Sequence, residues 1–372
     1  MTCSVDKGII VDITINSQQL AEELRLLCKI VPSKPTLQIL GHVLLEADMP
    51  GLAGQGTLHL YATDLEIGIA SECPIVVDQP GAVALPATKL MSLVEQFPNA
   101  DVRITAEEGK VLIKCGQFKT FLQVLPVEMM PRQATINGVA NVIDAASLRQ
   151  LIAKTRHAII TTGNKYVLQG SFLTFSGPAA AMVATDGKRL AMATVRREGT
   201  DAQVIIPAKT LDILSSQGDN GPLDFSIGDK HLFFKVGKRL IISRMLEGEF
   251  PKYDRIIPRD NNTRIEIDRA GLAAALRRIN LVAGDNDAVY FDFTSNLLTL
   301  SSSSADIGSA DETLAVSYEG APLKVCINGE YVLDFLDGAI GQVITLALKD
   351  PNGSALLIDG VEYLVVISLM RF

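Results

Sequence analysis

Tryptophan is absent from this 372-residue chain, and all aromatic residues together make up 5%. Base stacking on exposed aromatic platforms is therefore not expected to be its main activity. Cysteines are few, odd in number and scattered: Cys3, Cys28, Cys73, Cys115 and Cys326, with no CxxC pair. They read as buried or spare thiols of a reducing compartment, rather than as a disulfide frame or a zinc site, and a cytoplasmic location is expected. No apolar run approaches the roughly 20 residues that span a bilayer. The opening MTCSVDKGIIVDITI lacks the cationic-then-apolar layout of a secretory leader. Histidines His42, His59, His157 and His231 are far apart, and no HExxH, GxSxG, GxxxxGKS/T or GxGxxG occurs. GLAGQG has the wrong spacing. No catalytic residue, metal ligand or cofactor is assigned; the chain is expected to bind rather than to catalyse.

What is present is repetition. The chain is 48% hydrophobic, too apolar for disorder, and long enough for two or three domains. Four landmarks recur in the same order at intervals of about 120–130 residues. The first is a strand running into a helix cap: INSQQL, IDAASL and IDRAGL, with Asn16, Asp144 and Asp268 as N-cap types. The second is LPATKL, IPAKTL and INGEYV. The third is a turn phrase, YATDLEIGIA and VATDGKRLAMA, with SSSADIG as a weaker copy. The fourth is a hairpin: VLIKCG, LFFKVG and LLIDGV. Three domains follow, 1–134, 135–260 and 261–372, with Pro/Asn/Gly breaks at PRQATINGV and PRDNNT.

Each repeat reads as strand, helix, several strands, helix, several strands. Period-two alternation is clear in TLHLYATDLEIGIA and HLFFKVGKRLIISRM. The first helices carry apolar stripes: Leu20, Leu24, Leu27 and Val31; Leu148, Leu151, Ile152, Thr155 and Ile159; Leu272, Leu276, Ile279 and Ala283. The expected fold class is α+β, three repeated domains with two helices each on antiparallel sheets.

Charge is unevenly placed. Net charge is −8, which by itself speaks against nucleic acid. The stretches 17–34, 144–160 and 268–283 nevertheless hold nine Lys/Arg against four acids, so they carry +5 and the remainder −13. If these helices share one surface, it suits a phosphate backbone while the exterior repels one. From the charge alone, ordinary solvated helix faces are the favoured explanation. The second helices are less basic: Lys89 and Lys209 are offset by Glu95 and Asp212, and 328–338 is acidic.

In five phrases the chain resembles the β subunit of bacterial DNA polymerase III, the sliding-clamp family. The resemblance runs over nearly the full length. Its strongest pieces are KPTLQILGHVLL, GTLHLYATDLEI, VATDGKRLA, EGEFPKYDRIIP and EYVLDFL. It implies a non-catalytic processivity factor: a head-to-tail homodimer closed into a ring, encircling duplex DNA with its helices inward. The implied partners are double-stranded DNA, held without sequence preference, and the polymerase III α subunit, clamp loader and other clamp-motif proteins. No membrane association is implied. An altered tail leaves open an alternative, a specialised clamp paralogue serving a repair or mobile-element polymerase.

The resemblance also implies a peptide pocket between the second and third domains. One wall is Thr185, Gly187, Lys188, Arg189 and Leu190. The FPKYDRI loop adds Pro251, Arg255 and Ile256, the preceding stretch Lys165, Val167 and Leu168, and the third repeat Tyr331 and Ser354. The tail adds Val366, Ile367, Ser368, Leu369, Met370 and Arg371. Lys188 stands where the family usually has His, Val167 where an aromatic is common, and the tail lacks the family's Met-Pro-Met pattern. For DNA, the resemblance implies Lys34 and the turn Asn164, Lys165 and Tyr166. Charge adds Arg25, Lys29, Arg149, Lys154, Arg156, Lys209, Arg277 and Arg278.

Overall fold

The three N-cap phrases all begin helices, and where the cap geometry is described the side chain does the capping. The computed structural model describes residues 9–48, 54–107, 109–160, 166–197, 200–218 and 221–371. Asn16 Oδ1 accepts from the backbone N–H groups of Gln18 and Gln19 at 3.0 and 3.3 Å. Asp268 accepts from Gly271 N at 2.6 Å, and Asn328 from Tyr331 N at 2.9 Å. Each such bond satisfies a donor that the first helical turn leaves orphaned.

The first repeat comprises β1 (Ile9–Asn16), α1 (Ser17–Leu27), β2 (His42–Ala47), β3 (Gln55–Thr63), β4 (Ile67–Gln79), β5 (Gly81–Pro86), α2 (Ala87–Val94), β6 (Asp101–Glu107), β7 (Lys110–Cys115) and β8 (Phe118–Gln123). The second comprises β9 (Val139–Asp144), α3 (Ala145–Thr155), β10 (Gly170–Ser176), β11 (Ala179–Thr185), β12 (Arg189–Arg196), β13 (Ala202–Pro207), α4 (Ala208–Ser215), β14 (Pro222–Ile227), β15 (His231–Val236) and β16 (Arg239–Arg244). The third comprises β17 (Thr263–Asp268), α5 (Arg269–Asn280), β18 (Ala288–Thr294), β19 (Leu297–Ser304), β20 (Gly308–Ala315), β21 (Leu323–Asn328), α6 (Gly329–Gly338), β22 (Val343–Leu348), β23 (Ser354–Asp359) and β24 (Tyr363–Ser368).

The order of elements is the same three times, and every strand pairing is antiparallel. The expected helix stripes are buried: Leu20, Leu24 and Leu27 on α1, Leu272, Leu276 and Ile279 on α5, all at 1% exposure or less. Val31 and Ala283 lie beyond the helix ends, because α1 stops at Leu27 and α5 at Asn280.

Sheets run across repeat boundaries. A 12-stranded sheet contains the path β8-β7-β6-β1-β4-β16-β15-β14-β9, with β2, β3 and β5 branching from β4. An 8-stranded sheet runs β13-β10-β11-β12-β24-β23-β22-β17, and a 4-stranded one β20-β19-β18-β21. The seams are β4 against β16 and β12 against β24, so the strand after the TD turn of one repeat pairs with the last strand of the next. The chain accordingly divides into two compact units, Met1–Ala145 with Gly218–Arg244 and Ala146–Gln217 with Met245–Phe372. Each unit contains one seam.

Candidate functional site

The turn phrase sits beside each seam, and its two copies are the same hydrogen-bonded object. In the first, Thr63 Oγ1 donates to Ile67 O at 2.9 Å and accepts from Leu65 N at 3.0 Å. Asp64 Oδ1 accepts from Glu66 N and Ile67 N at 2.9 and 2.7 Å. In the second, Thr185 Oγ1 donates to Arg189 O at 2.6 Å and accepts from Gly187 N at 3.1 Å. Asp186 Oδ1 accepts from Lys188 N and Arg189 N at 2.8 and 2.9 Å. Short polar side chains thus hold a three-residue loop closed. The central residue has φ of +77° at Leu65 and +90° at Gly187, the left-handed region that glycine enters most easily.

Across the second seam, the ladder lines up Ile358, Leu364, Met192, Val183, Phe172 and Ile205 on successive strands β23, β24, β12, β11, β10 and β13. All six belong to one apolar cluster with Leu168, Leu190, Leu246, Phe250 and Val366. The segment after β16 lies on it: Phe250 stacks on Phe172 at 5.1 Å, and Tyr253 meets Phe172 edge-on at 6.3 Å. Gly248 passes so close to Val167 that a Cβ there would stand 2.6 Å from a valine methyl. Met192, Phe172, Leu364 and Ile256 are only partly covered, so an apolar surface faces outward at this seam. Adaptable aliphatic and thioether side chains suit a peptide with apolar anchors.

The strand period of two separates the predicted pocket residues by face. Leu168, Leu190 and Val366 lie in the cluster at 4%, 1% and 3% exposure, with Val167 packed against it. Arg189 and Ile367 alternate with Leu190 and Val366, so they face the other side of the sheet. Thr185, Gly187 and Lys188 form the turn. Pro251, Arg255 and Ile256 are exposed in the neighbouring loop. The tail is held by its backbone: Ser368 N donates to Lys188 O at 2.9 Å, Leu369 N to Gly353 O at 3.3 Å and Met370 N to Cys326 O at 2.8 Å. Ser354 is cross-strand from Ser368, and Arg371 is exposed. Lys165 lies outside the described residues. Sequence reasoning missed Phe172, Met192, Phe250, Tyr253 and Leu364. Alternation from Leu190 could have found Met192; Phe172 and Leu364 need the ladder register, and Phe250 and Tyr253 the packing of the segment after β16 on Phe172.

Arg189 ties β12 to α6. Its guanidinium reaches Asp186 Oδ2 at 3.2 Å, Asp334 Oδ2 and the His157 carbonyl, and lies 4.1 Å from the Tyr331 ring centroid. A planar fork with a stacking face is needed to make all four contacts. Tyr331 therefore reaches the turn through Arg189. Burial, and then the Arg189 charge, hold the His157 imidazole down to about 4, against an ordinary 6.5. Its Nε2 contacts the Tyr363 hydroxyl at 3.1 Å, and Tyr363 stacks on Phe335 at 4.9 Å.

The cations assigned to DNA separate into three groups. Lys154 is a correction: only 4% exposed, with Nζ 5.2 Å above the Tyr363 ring, it is buried inside the second unit and is not available to a phosphate. The helical position read from charge did not anticipate that the ammonium would sit over an aromatic face. Lys29, Lys34, Lys209 and Tyr166 are exposed, whereas Asn164 and Lys165 lie outside the described residues. The arginines are paired. Arg25 with Glu95 and Arg277 with Asp337 make the same bond at equivalent positions of the first and third repeats, at 2.8 and 2.6 Å, and Arg156, just past α3, bonds Asp212 on α4 at 2.7 Å. Arg278 bonds Glu312 on β20, and Arg149 donates to Gln217 O at 3.1 Å. Exposed pairs of this kind are worth about 0–1 kcal/mol, so a phosphate can compete for the guanidinium.

Among the described residues, no group of three or more His, Cys, Asp or Glu is placed to hold a metal, and no helix is long and apolar enough to cross a membrane. Three family models match in chain order: the N-terminal domain of the DNA polymerase III beta subunit over residues 11–134, its central domain over 142–252 and its C-terminal domain over 254–370. The chain belongs to the DNA polymerase III beta subunit family. The beta sliding clamp of Pseudomonas aeruginosa is 31% identical over 360 residues, covering 92% of this chain and 95% of that protein. The beta sliding clamp of Synechocystis sp. is 29% identical, covering 90% and 92%. The crystal structure of the Pseudomonas aeruginosa sliding clamp bound to griselimycin superposes with a TM-score of 0.90 at 29% identity, over 98% of this chain and all of that one. The Bacillus subtilis sliding clamp gives 0.91 at 25% identity, over 97% and 99%. As in other sliding clamps, three repeated α+β domains with antiparallel sheets make up the chain.

Proposed function

We propose that this protein is a non-catalytic DNA sliding clamp of the cytoplasm: two copies close head to tail around duplex DNA and tether the replicative polymerase, the clamp loader and other partners by short peptides. The observation that carries the ring is the seam. The chain builds it twice, β4 on β16 and β12 on β24, and then leaves both of its parts over. The strand after the third turn, β20, and the last strand of the first repeat, β8, each pair on one side only among the described residues. A heterologous contact of β20 with a second copy's β8 reproduces the seam, and two such contacts close without open ends.

The internal seams also supply a register. The first residue after the turn faces the fifth of the last strand: Ile67 faces Ser243, and Arg189 faces Ile367. Applied to β20 and β8, this sets Gly308 opposite Leu122 and Asp311 opposite Lys119, a cross-strand pair of opposite charge. Lys119→Asp weakens the dimer, and Asp311→Lys in the same chain restores it. Light scattering reads the mass, near twice 40.0 kDa for the dimer. Two single variants that both stay dimeric would remove the register.

For DNA, the exposed Lys29, Lys34 and Lys209, with Arg25, Arg156 and Arg277, supply contacts to phosphate. Such contacts carry little sequence information, as a sliding collar requires. Partner peptides are taken at the second seam, by Met192, Leu364, Phe172, Val167 and Ile256 above a floor of Leu168, Leu190 and Val366. The test is loading onto nicked circular DNA by a clamp loader. The loaded protein stays on the circle and slides off once the circle is cut. Retention after linearisation defeats the reading.

A further inference from the structure

The first seam repeats the lattice of the second, strand for strand. Lys235, Leu240, Ala70, Tyr61, Leu44 and Ala84 occupy the places of Ile358, Leu364, Met192, Val183, Phe172 and Ile205. The segment 127–136 crosses above this row as Phe250 and Tyr253 do at the second seam. Between segment and sheet lies a cavity of about 870 Å³, within the range of ligand sites.

Its chemistry is bipolar. At one end the next ladder row is Glu72, His59 and Glu46, with His59 at 3.5 Å from Glu72 and 2.8 Å from Asp48. At the other end, on β15, stands Lys235, and Lys238, in the turn before β16, comes beside Glu72; both lysines are exposed and without an ion-pair partner among the described residues. The middle is apolar: Leu44, Tyr61, Leu240, Met130 and Ile136. From β15 to β2 are four strand spacings, about 19 Å, the reach of about six extended residues.

We propose that the first seam is a second peptide-binding groove. It takes an extended segment of a protein partner that carries a basic side chain at one end, aliphatic side chains in the middle and acidic side chains at the other. Charge complementarity selects this occupant over the aliphatic peptides suited to the second seam, where Thr194, Ala181 and Thr174 replace the Glu72, His59 and Glu46 row. The site is separate from the second-seam groove, and the two can fail independently.

The test uses the full-length protein and fluorescein-labelled, acetylated hexapeptides Arg-Leu-Leu-Leu-Asp-Asp and its reverse, with a Gln-Leu-Leu-Leu-Gln-Gln control. One of the two charged peptides binds about tenfold more tightly than the control, and added salt reduces the difference. The double variant Lys235→Glu, Lys238→Glu abolishes that preference. Met192→Lys, at the second seam, leaves it intact. Equal binding of all three peptides, absence of binding, or loss through Met192→Lys alone overturns the proposal.

Discussion

The two seams share a backbone and differ in what fills them. At the first, Gly68 occupies the ladder position of Leu190, and Tyr61 that of Val183. A Cβ on Gly68 would stand 3.1 Å from the Tyr61 ring and hydroxyl, so the tyrosine takes the space that a leucine fills at the second seam. Tyr61 then packs with Ile39, Leu40, Ala84 and Met130 in a small cluster of its own. The second seam has the smaller Val183 in place of Tyr61 but Leu190, Met192, Phe172 and Ile205 in place of Gly68, Ala70, Leu44 and Ala84, and it leaves Met192 and Leu364 partly open. Same pairing, different volumes: one joint sets an aromatic ring in the wall of a groove with charged flanks, and the other keeps an apolar face. The turns differ likewise. Ile67 of the first is an ordinary strand residue, whereas Arg189 of the second reaches across to α6.

The sharpest break is Leu190→Asp. Leu190 is 1% exposed within the apolar cluster, so a carboxylate there costs about 4 kcal/mol by loss of packing and burial of charge. Chemical denaturation reads this as a fall in midpoint, and a variant of unchanged stability would mean that the cluster is open to water. For the same reason this substitution is a poor probe of peptide binding, and Met192→Lys is the better one.

Acid separates the seams next. His157 is neutral in the fold because burial, aided by Arg189, holds it down to about 4. A depressed pKa means that the unfolded chain binds the proton first. The contribution is complete above the ordinary value near 6.5 and is lost as pH falls from there toward 4, about 3 kcal/mol in all. His157→Gln flattens that part of the stability–pH curve for the second unit. A curve of unchanged slope would show that His157 does not carry the loss.

Arg189→Lys keeps the charge but cannot span Asp186, Asp334 and the Tyr331 face together, and costs about 2 kcal/mol. Ile67→Val at the matching position of the first turn costs about 1 kcal/mol. Equal losses in thermal unfolding would erase the distinction between the two turns. The smallest effect is at the turn centre. Gly187→Leu costs about 1 kcal/mol, since a branched side chain enters the left-handed region with strain. Leu65→Gly releases that strain and gives up backbone entropy, so it changes stability by less than about 1 kcal/mol. A large loss from Leu65→Gly would mean that the half-exposed leucine has a contact of its own.

Much of the fold was legible because repeats, caps and alternation are local. Asn16 and Asp268 cap because a short acceptor before an amphipathic run has few other uses. Each hairpin phrase contains a glycine, and Gly116, Gly237 and Gly360 all have positive φ. The functional residues were less legible. Leu168, Leu190 and Val366 came from a resemblance, and Phe172 and Leu364 join them only through pairing across sequence distance. Lys154 faces inward, and charge alone says nothing about whether an ammonium finds a buried aromatic ring. The arginine pairs with Glu95, Asp212 and Asp337 were likewise invisible until the two helices of each repeat stood side by side.

By itself the sequence determined the threefold repeat, the alternation of strand and amphipathic helix, and the TD turn, because each depends on residues a few positions apart. Tertiary structure decided which strand of one repeat joins which strand of the next, and therefore which side chains share a face. That choice rests on ladder register, and register places residues such as Met192 and Leu364 side by side across a span of sequence that no local pattern bridges.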